Sequence, residues 1–246
     1  KYLGDNDINY RELDFNKTQT FRGPLKGMDA VFLVRPPAIS NVKKYIFPFL
    51  DAAGKENIKQ IIFLSLIGVE NNKITPHYKI EEYIKKTGLP FTFLRPSFFM
   101  ENITTTHLDE IKSLKEIIVP AGNGKTNFIA VGDIARAGVK TLGKRESIGR
   151  AYELTGLKSY TYYEIAQILS EKLDKNIEYR SPGILRFFMF RKKQGMKTAF
   201  ILVMIALYSV TRFGKADVFS NDLRECFNIT PRSFSDFLDE NMDLLN

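Results

Sequence analysis

Residues 77–102 read "HYKIEEYIKKTGLPFTFLRPSFFMEN". The first part, opened by Pro76, has the pattern of a helix, and Gly88 supplies its stop, because glycine enters the left-handed region without steric cost. "PFTFLRP" (Pro90–Pro96) then reads as a strand. Upstream, "IKQIIFLSL" (Ile58–Leu66) is a nearly continuous apolar run, the signature of a strand covered on both faces. "DAVFLV" (Asp29–Val34) is another buried strand, stopped by Pro36-Pro37, and "INYRELDF" (Ile8–Phe15) a third. Between them, Ser40 can cap the helix "NVKKYIFPFLDAAGKEN", which has Tyr45, Phe49, Ala52 and Ala53 on one face and a kink or late start at Pro48.

Downstream the alternation continues. A helix runs from Pro96 to about Lys115, followed by the strand "EIIVP", the glycine turn "AGNGK", the strand "NFIAV" and the helix "GDIARAGVKTLG". The strand "RAYELTG", the helix "TYYEIAQILSEKLDK" and the strand "NIEYRS" come next, and everything from Gly183 on reads as helix. Strands alternating with helices predict an α/β fold with a doubly wound, mostly parallel sheet and a small C-terminal helical part. The turn Ala121–Lys125 lacks phosphate-loop spacing and reads as a hairpin or loop.

With 246 residues, 44% hydrophobic and 26% charged, the chain is ordinary globular material. Its single cysteine, Cys226, excludes an intramolecular disulfide and any multi-cysteine metal site, and two distant histidines add no zinc pattern, so no metal is expected. Cysteine scarcity fits a reducing compartment, and "KYLGDNDINYRELDF" has no signal-peptide h-region. The expected location is cytoplasmic.

Taken together, "LDF" (13–15), "GMDAVFLVRPP" (27–37), "FLSLIGV" (63–69), the block at 77–102, "FIAVGDIARAGVKTL" (128–142), "AYELTG" (151–156) and "ITPRSFSDFLDEN" (229–241) resemble the NmrA-like branch of the atypical short-chain dehydrogenase/reductase superfamily. The resemblance implies a Rossmann-like fold, with residues 1–142 as the dinucleotide-binding part and 143–246 as an interleaved substrate and lid part. Family members begin with a strand and a G-x-x-G-x-x-G turn whose backbone N–H groups reach the cofactor pyrophosphate. No such turn occurs in this sequence, and Ile8–Phe15 matches the family's third strand. The expectation is a natural protein longer by roughly 35–40 residues, about one βαβ crossover.

The superfamily's Tyr-x-x-x-Lys pair places a proton donor and a ribose-binding lysine on one helix face. Four residues before Lys79 stands Thr75, and the adjacent Tyr78 points about 100° away around the helix. The resemblance therefore keeps Lys79, with Glu82, as the residue touching the nicotinamide ribose; the plainer reading is a solvated helix face with Glu81, Glu82 and Lys86. The proton comes from solvent, His77 or Tyr78, each of which also reads as an ordinary helix-start residue. Ser65 ends its strand where ligands of open α/β sheets bind, or bonds its local backbone. By resemblance, Asp14 and Phe15 lie beside the adenine, Val34, Arg35 and Pro36 form the loop under the pyrophosphate and ribose, Pro96 and Phe99 wall the nicotinamide, and Asn102 lies near substrate; for the aromatic residues the alternative is core packing. The implied activity is NAD(P)H-dependent hydride transfer to a quinone-like or other conjugated acceptor, NADP being favoured over NAD. The alternative, kept open by the absent tyrosine, is a non-catalytic dinucleotide-binding redox sensor acting through a protein partner.

The net charge of +8 comes from one segment. No Asp or Glu occurs from Arg180 to Ala216, where Arg180, Arg186, Arg191, Lys192, Lys193, Lys197, Arg212 and Lys215 stand, and the remainder is neutral. Within it, "TAFILVMIALYSVT" (198–211) is uncharged but shorter than the roughly 20 residues of a membrane span. The two readings are a lid or homodimer helix, and an interfacial pair resting on an anionic membrane through 183–212, with Arg186, Arg191, Lys192, Lys193 and Lys197 at the headgroups. Nothing in the sequence accompanies these bases with a nucleic-acid recognition motif.

Overall fold

The computed structural model describes residues 9–246. The described residues form two compact units, one of residues 9–93 and 141–150, the other of residues 94–140 and 151–246.

The first unit begins with an irregular stretch and α1 (Arg22–Leu25), then β1 (Ala30–Val34), α2 (Val42–Tyr45), α3 (Phe47–Lys55), β2 (Gln60–Leu64), α4 (Pro76–Thr87) and the start of β3 (Phe91–Pro96). β1 and β2 pair in parallel from Ala30↔Gln60 to Val34↔Leu64. β2 is buried on both faces, as its apolar run requires. The core gathers Phe49 and Leu50 of α3, Ile61 and Phe63 of β2, Ile80 and Ile84 of α4, and Phe93. Each such side chain contributes about 1.5–3 kcal/mol on full burial. Gln60 is buried within this unit and donates to Thr92 Oγ1 (2.9 Å), the Thr141 carbonyl (2.9 Å) and Ser147 Oγ (3.1 Å), which fastens residues 141–147 to β2.

The second unit holds β4 (Phe98–Phe99), α5 (Leu108–Leu114), β5 (Glu116–Ile118), β6 (Lys125–Ile129), α6 (Val131–Thr141), β7 (Arg150–Leu154), β8 (Ser159–Thr161), α7 (Tyr162–Leu173) and β9 (Glu178–Arg180). Helices α8 (Ile184–Lys193), α9 (Thr198–Arg212), α10 (Asp222–Glu225), α11 (Phe234–Glu240) and α12 (Met242–Leu245) complete it. The strand orders are β1-β2-β3-β7, β4-β6-β8 and β5-β9. β4–β6 and β5–β9 are parallel, and β6–β8 is antiparallel. The mostly parallel α/β architecture is the one expected.

Four local expectations change. Residues 9–15 form no strand, and Ile8 lies outside the described residues; a strand needs a neighbour for its N–H and C=O groups, and none of the described residues pairs with this stretch. The helix after β1 is capped by Asn41, whose side chain accepts from Lys44 N, rather than by Ser40, and it breaks at Ile46 so that Pro48 lies in the first turn of α3. The helix expected from Pro96 starts only at Leu108, after β4 and a 3-10 turn at Met100–Asn102. Of the two readings of Ala121–Lys125, the loop holds, since it joins strands of different sheets; its Gly124 is required by packing, because a Cβ there would lie 1.9 Å from the Thr211 carbonyl oxygen. Beyond Arg212 the chain is helical only in α10, α11 and α12.

Candidate functional site

Helix α4 starts by an N-cap that the sequence shows plainly. Thr75, extended at φ −62° and ψ 144°, accepts from the Tyr78 N–H at 3.2 Å, with Pro76 following in the first turn. Thr75 Oγ1 also donates to the Asn72 carbonyl (2.8 Å). The hydroxyl at the position of the superfamily's tyrosine is thus spent on backbone.

Lys79 is exposed on the first turn of α4. Glu82, its partner in the sequence pattern, pairs instead with Lys85 at 2.9 Å. The Lys79 ammonium consequently has no carboxylate among the described residues. His77 is half-buried, its ring 5.9 Å from that of Phe63 in β2. Burial, and then the charge of Arg35, lowers its pKa to about 4, so the imidazole is neutral at pH 7 and is no imidazolium acid there. Tyr78 is half-buried beside it.

Ser65 directly follows β2 at its carboxyl end. It is 4% exposed, and its Oγ has no hydrogen-bond partner among the described residues. A buried hydroxyl left unpaired costs about 1–3 kcal/mol, and a bound ligand is one thing that would offset that cost. Val34, at the carboxyl end of β1, is exposed. Arg35 folds back on its own loop, donating to the carbonyls of Pro36 (2.8 Å), Pro37 (3.2 Å) and Ile39 (2.8 Å), with its pKa lowered by burial. Pro36 is half-buried in that loop.

Two of the residues expected beside the adenine also have partners within the chain. Asp14 Oδ1 accepts from the Asn16 N–H (2.9 Å) and from Asn16 Nδ2 (2.8 Å), and the backbone bond is the main cause of its lowered pKa. Phe15 packs its ring 5.4 Å from Phe49 and 6.3 Å from Phe21. The first unit therefore brings Ser65, His77 and Arg35 around the end of β2 and the start of α4, while Asp14 and Phe15 serve their own turn and core. A hollow of about 420 Å³ between Leu50, Asp51, Gly54, Lys55, Thr87 and Leu89 contains none of the candidate residues.

In the second unit Pro96 is buried at the end of β3, Phe99 is half-buried on β4 opposite Ile129, and Asn102 ends the following 3-10 turn with its side-chain amide unbonded. The sequence reading passed over Glu101. Its Oε1 accepts from the Val131 N–H (2.8 Å), its Oε2 is buried without a partner, and burial raises its pKa. It also passed over a buried network around His107, whose Nδ1 lies 2.6 Å from Glu110 Oε1 and whose Nε2 lies 2.7 Å from Tyr208 Oη. Arg191 Nη2 donates to Glu110 Oε1 (3.2 Å) and to the Ile118 carbonyl (3.0 Å), and its Nη1 lies 2.8 Å from Glu110 Oε2. Arg191 was expected at membrane headgroups; the Glu110 carboxylate draws it 99% out of solvent. No sequence spacing links positions 107, 110, 191 and 208. No group of three or more metal-ligating side chains occurs among the described residues.

The sequence pattern of the NmrA-like family matches residues 5–217. The chain belongs to the NmrA-like family. Among its relatives, Prestalk A differentiation protein A of Dictyostelium discoideum is 27% identical over 94% of this chain and 76% of its own length. Agroclavine dehydrogenase of Claviceps fusiformis is also 27% identical, over 95% and 81%. Among solved structures, the NADPH-dependent quinone oxidoreductase of Escherichia coli complexed with NADPH has a TM-score of 0.85 at 18% identity, covering 94% of this chain and 83% of that one. The Citrobacter triphenylmethane reductase complexed with NADP(H) has a TM-score of 0.80 at 21% identity, covering 94% and 82%. These likenesses establish a shared Rossmann-like fold for this NmrA-like chain.

Proposed function

We propose that this NmrA-like protein is an NAD(P)H-dependent oxidoreductase acting on a quinone-like or other conjugated small molecule. The observation that carries the reading is the pairing, in one unit, of an unclaimed Lys79 ammonium with an unpartnered, buried Ser65 hydroxyl at the carboxyl end of a parallel strand. The named chemistry of the relatives, reduction and dehydrogenation, supports it. A reduced nicotinamide dinucleotide supplies the hydride when bound. Lys79 holds the ribose, Ser65 meets the nicotinamide end, and Val34 and Pro36 form the loop beneath. Neutral His77 orients rather than protonates at pH 7, which leaves solvent or Tyr78 as the proton source. Asp14 and Arg35 act by shaping their turns.

The second reading is a dinucleotide-binding sensor without turnover. Thr75, spent as a helix cap where Tyr-x-x-x-Lys proteins have their acid, favours it, as does a relative named for differentiation rather than for a reaction.

Titration of the protein with NADPH and NADH, with quinones then offered as acceptors, separates the two. Lys79→Ala is expected to weaken dinucleotide binding at least about tenfold, the scale of one charge-assisted hydrogen bond. Binding with no turnover of any acceptor selects the sensor; absence of binding overturns both. The other expected partners, a second copy of the chain and an anionic membrane, compete for one surface, the outer side of α8 and α9.

A further inference from the structure

Helix α9 is apolar on both sides. Ile201, Met204, Tyr208 and Thr211 form its buried stripe. Opposite them, Phe200, Leu202, Val203, Leu207, Val210 and Phe213 are exposed, Leu202 at 55%. A surface helix ordinarily sets polar side chains opposite its core stripe, and a helix apolar all round belongs inside something. On α8 the arrangement is mixed. Phe187 and Arg191 face the core, while Leu185, Arg186, Met189, Lys192 and Lys193 fall on one exposed side, spaced at helical period.

The charge of this surface is one-signed. Of the eight bases in the acid-free segment, Arg191 is buried on Glu110 and Arg180 is paired with Glu116 at 2.7 Å. Arg186, Lys192, Lys193, Lys197, Arg212 and Lys215 remain exposed, and none pairs with a carboxylate among the described residues. Three occupants can be compared on this ground. A polyanion such as RNA would meet the bases and leave the apolar face of α9 in water. A second copy would cover the apolar face but bring two sets of unpaired like charges together. An anionic lipid surface satisfies both, its acyl region taking the apolar side chains and its headgroups the bases.

Two further features fit an interfacial helix. α9 has 15 residues, about 22 Å of helix, short of the roughly 30 Å hydrocarbon core. No helix among the described residues is long and apolar enough to cross a membrane. The helix pair is also held fast, because Arg191 of α8 and Tyr208 of α9 converge through Glu110 and His107 on one buried network. The face they present is fixed to the core.

We propose that the outer faces of α8 and α9 dock this protein onto an anionic lipid membrane at interfacial depth. The inference is independent of the reductase reading. Its test is flotation of the whole chain with vesicles of phosphatidylcholine alone and of phosphatidylcholine with phosphatidylserine. The protein should float with the phosphatidylserine vesicles at low salt, lose them at high salt, and ignore phosphatidylcholine alone. Each base removed should weaken binding roughly fivefold, so Lys192→Glu with Lys193→Glu should cost at least about 25-fold. Leu202→Asp with Leu207→Asp should abolish flotation with unchanged circular dichroism. Lys43→Glu with Lys44→Glu, the same charge change on α2, should leave flotation as it was. No flotation with phosphatidylserine, equal flotation without it, or an equal loss in the α2 variant overturns the proposal. So does a dimer in sedimentation that Leu202→Asp dissolves while vesicles stay unbound, which would assign the face to a second copy.

Discussion

His77, at the start of α4, lies against Phe63 with no hydrogen-bond partner among the described residues, whereas His107, just ahead of α5, is held at both ring nitrogens. The surroundings differ in the same sense. Around His77 stand an unclaimed ammonium on Lys79 and an unpaired hydroxyl on Ser65. Around His107, Glu110, Arg191 and Tyr208 are buried, and their charged and polar atoms converge on one another. The His107 network is held by hydrogen bonds at both ring nitrogens and by the Arg191–Glu110 ion pair, whereas the Ser65 hydroxyl has no partner among the described residues. On that basis we propose the first region as the site and read the second as a fastening.

The contrast is most exposed to failure at Arg191. Arg191→Ala leaves the Glu110 carboxylate buried without its cation and should cost about 3–5 kcal/mol in urea unfolding. A loss below about 1 kcal/mol would mean that the network fastens nothing. His77 comes next, through pH. Its pKa is depressed from 6.5 to about 4 in the folded state, so between these values the unfolded chain binds the extra proton. Stability from this group is full above pH 6.5 and is lost as pH falls toward 4. With its partial exposure discounted, the loss should be about 1–2 kcal/mol, and His77→Gln should flatten that part of the stability–pH curve. An unchanged slope in the variant would show that the ring is not held neutral.

Thr75→Ala should cost about 1 kcal/mol by removing the α4 cap, in thermal or urea unfolding. Thr75→Ser should recover most of it, since the hydroxyl is what acts. The smallest stability effect belongs to Lys79→Ala, within about 0.5 kcal/mol of wild type, because the side chain is exposed and unpaired. Coupled with the loss of dinucleotide affinity, that would sharpen the contrast most: binding lost with the fold untouched. A clear loss of stability in Lys79→Ala would instead place Lys79 among the structural groups.

Much of the fold could be read from local pattern. β2 shows as an unbroken apolar run, α4 as a capped segment closed by Gly88 in the left-handed region at φ 72°, and α7 by the Thr161–Glu164 capping box. The failures were of two kinds. Residues 9–15 have strand-like composition, but a strand is a pairing, and no local pattern reports whether a partner exists. The start of α5 was read too early because β4 is only two residues long, too short to show a period. For the proposed site, motif and strand end point to Lys79 and Ser65. The commitments of Asp14 to Asn16 and of Phe15 to Phe49 are visible only in three dimensions. The His107 network was invisible for the same reason, its members lying up to 101 residues apart.

The sheet order leaves β1 with one neighbour among the described residues, and Phe32 and Val34 stand exposed on it at 43% and 51%. A parallel strand with an open side and apolar side chains in water is a template for foreign backbone. Handling of this chain in concentrated solution should therefore be governed by β1, through slow turbidity that rises with protein concentration. Phe32→Lys would delay its onset without touching α9, so aggregation through the sheet and attachment through the helices can be told apart in the same tube.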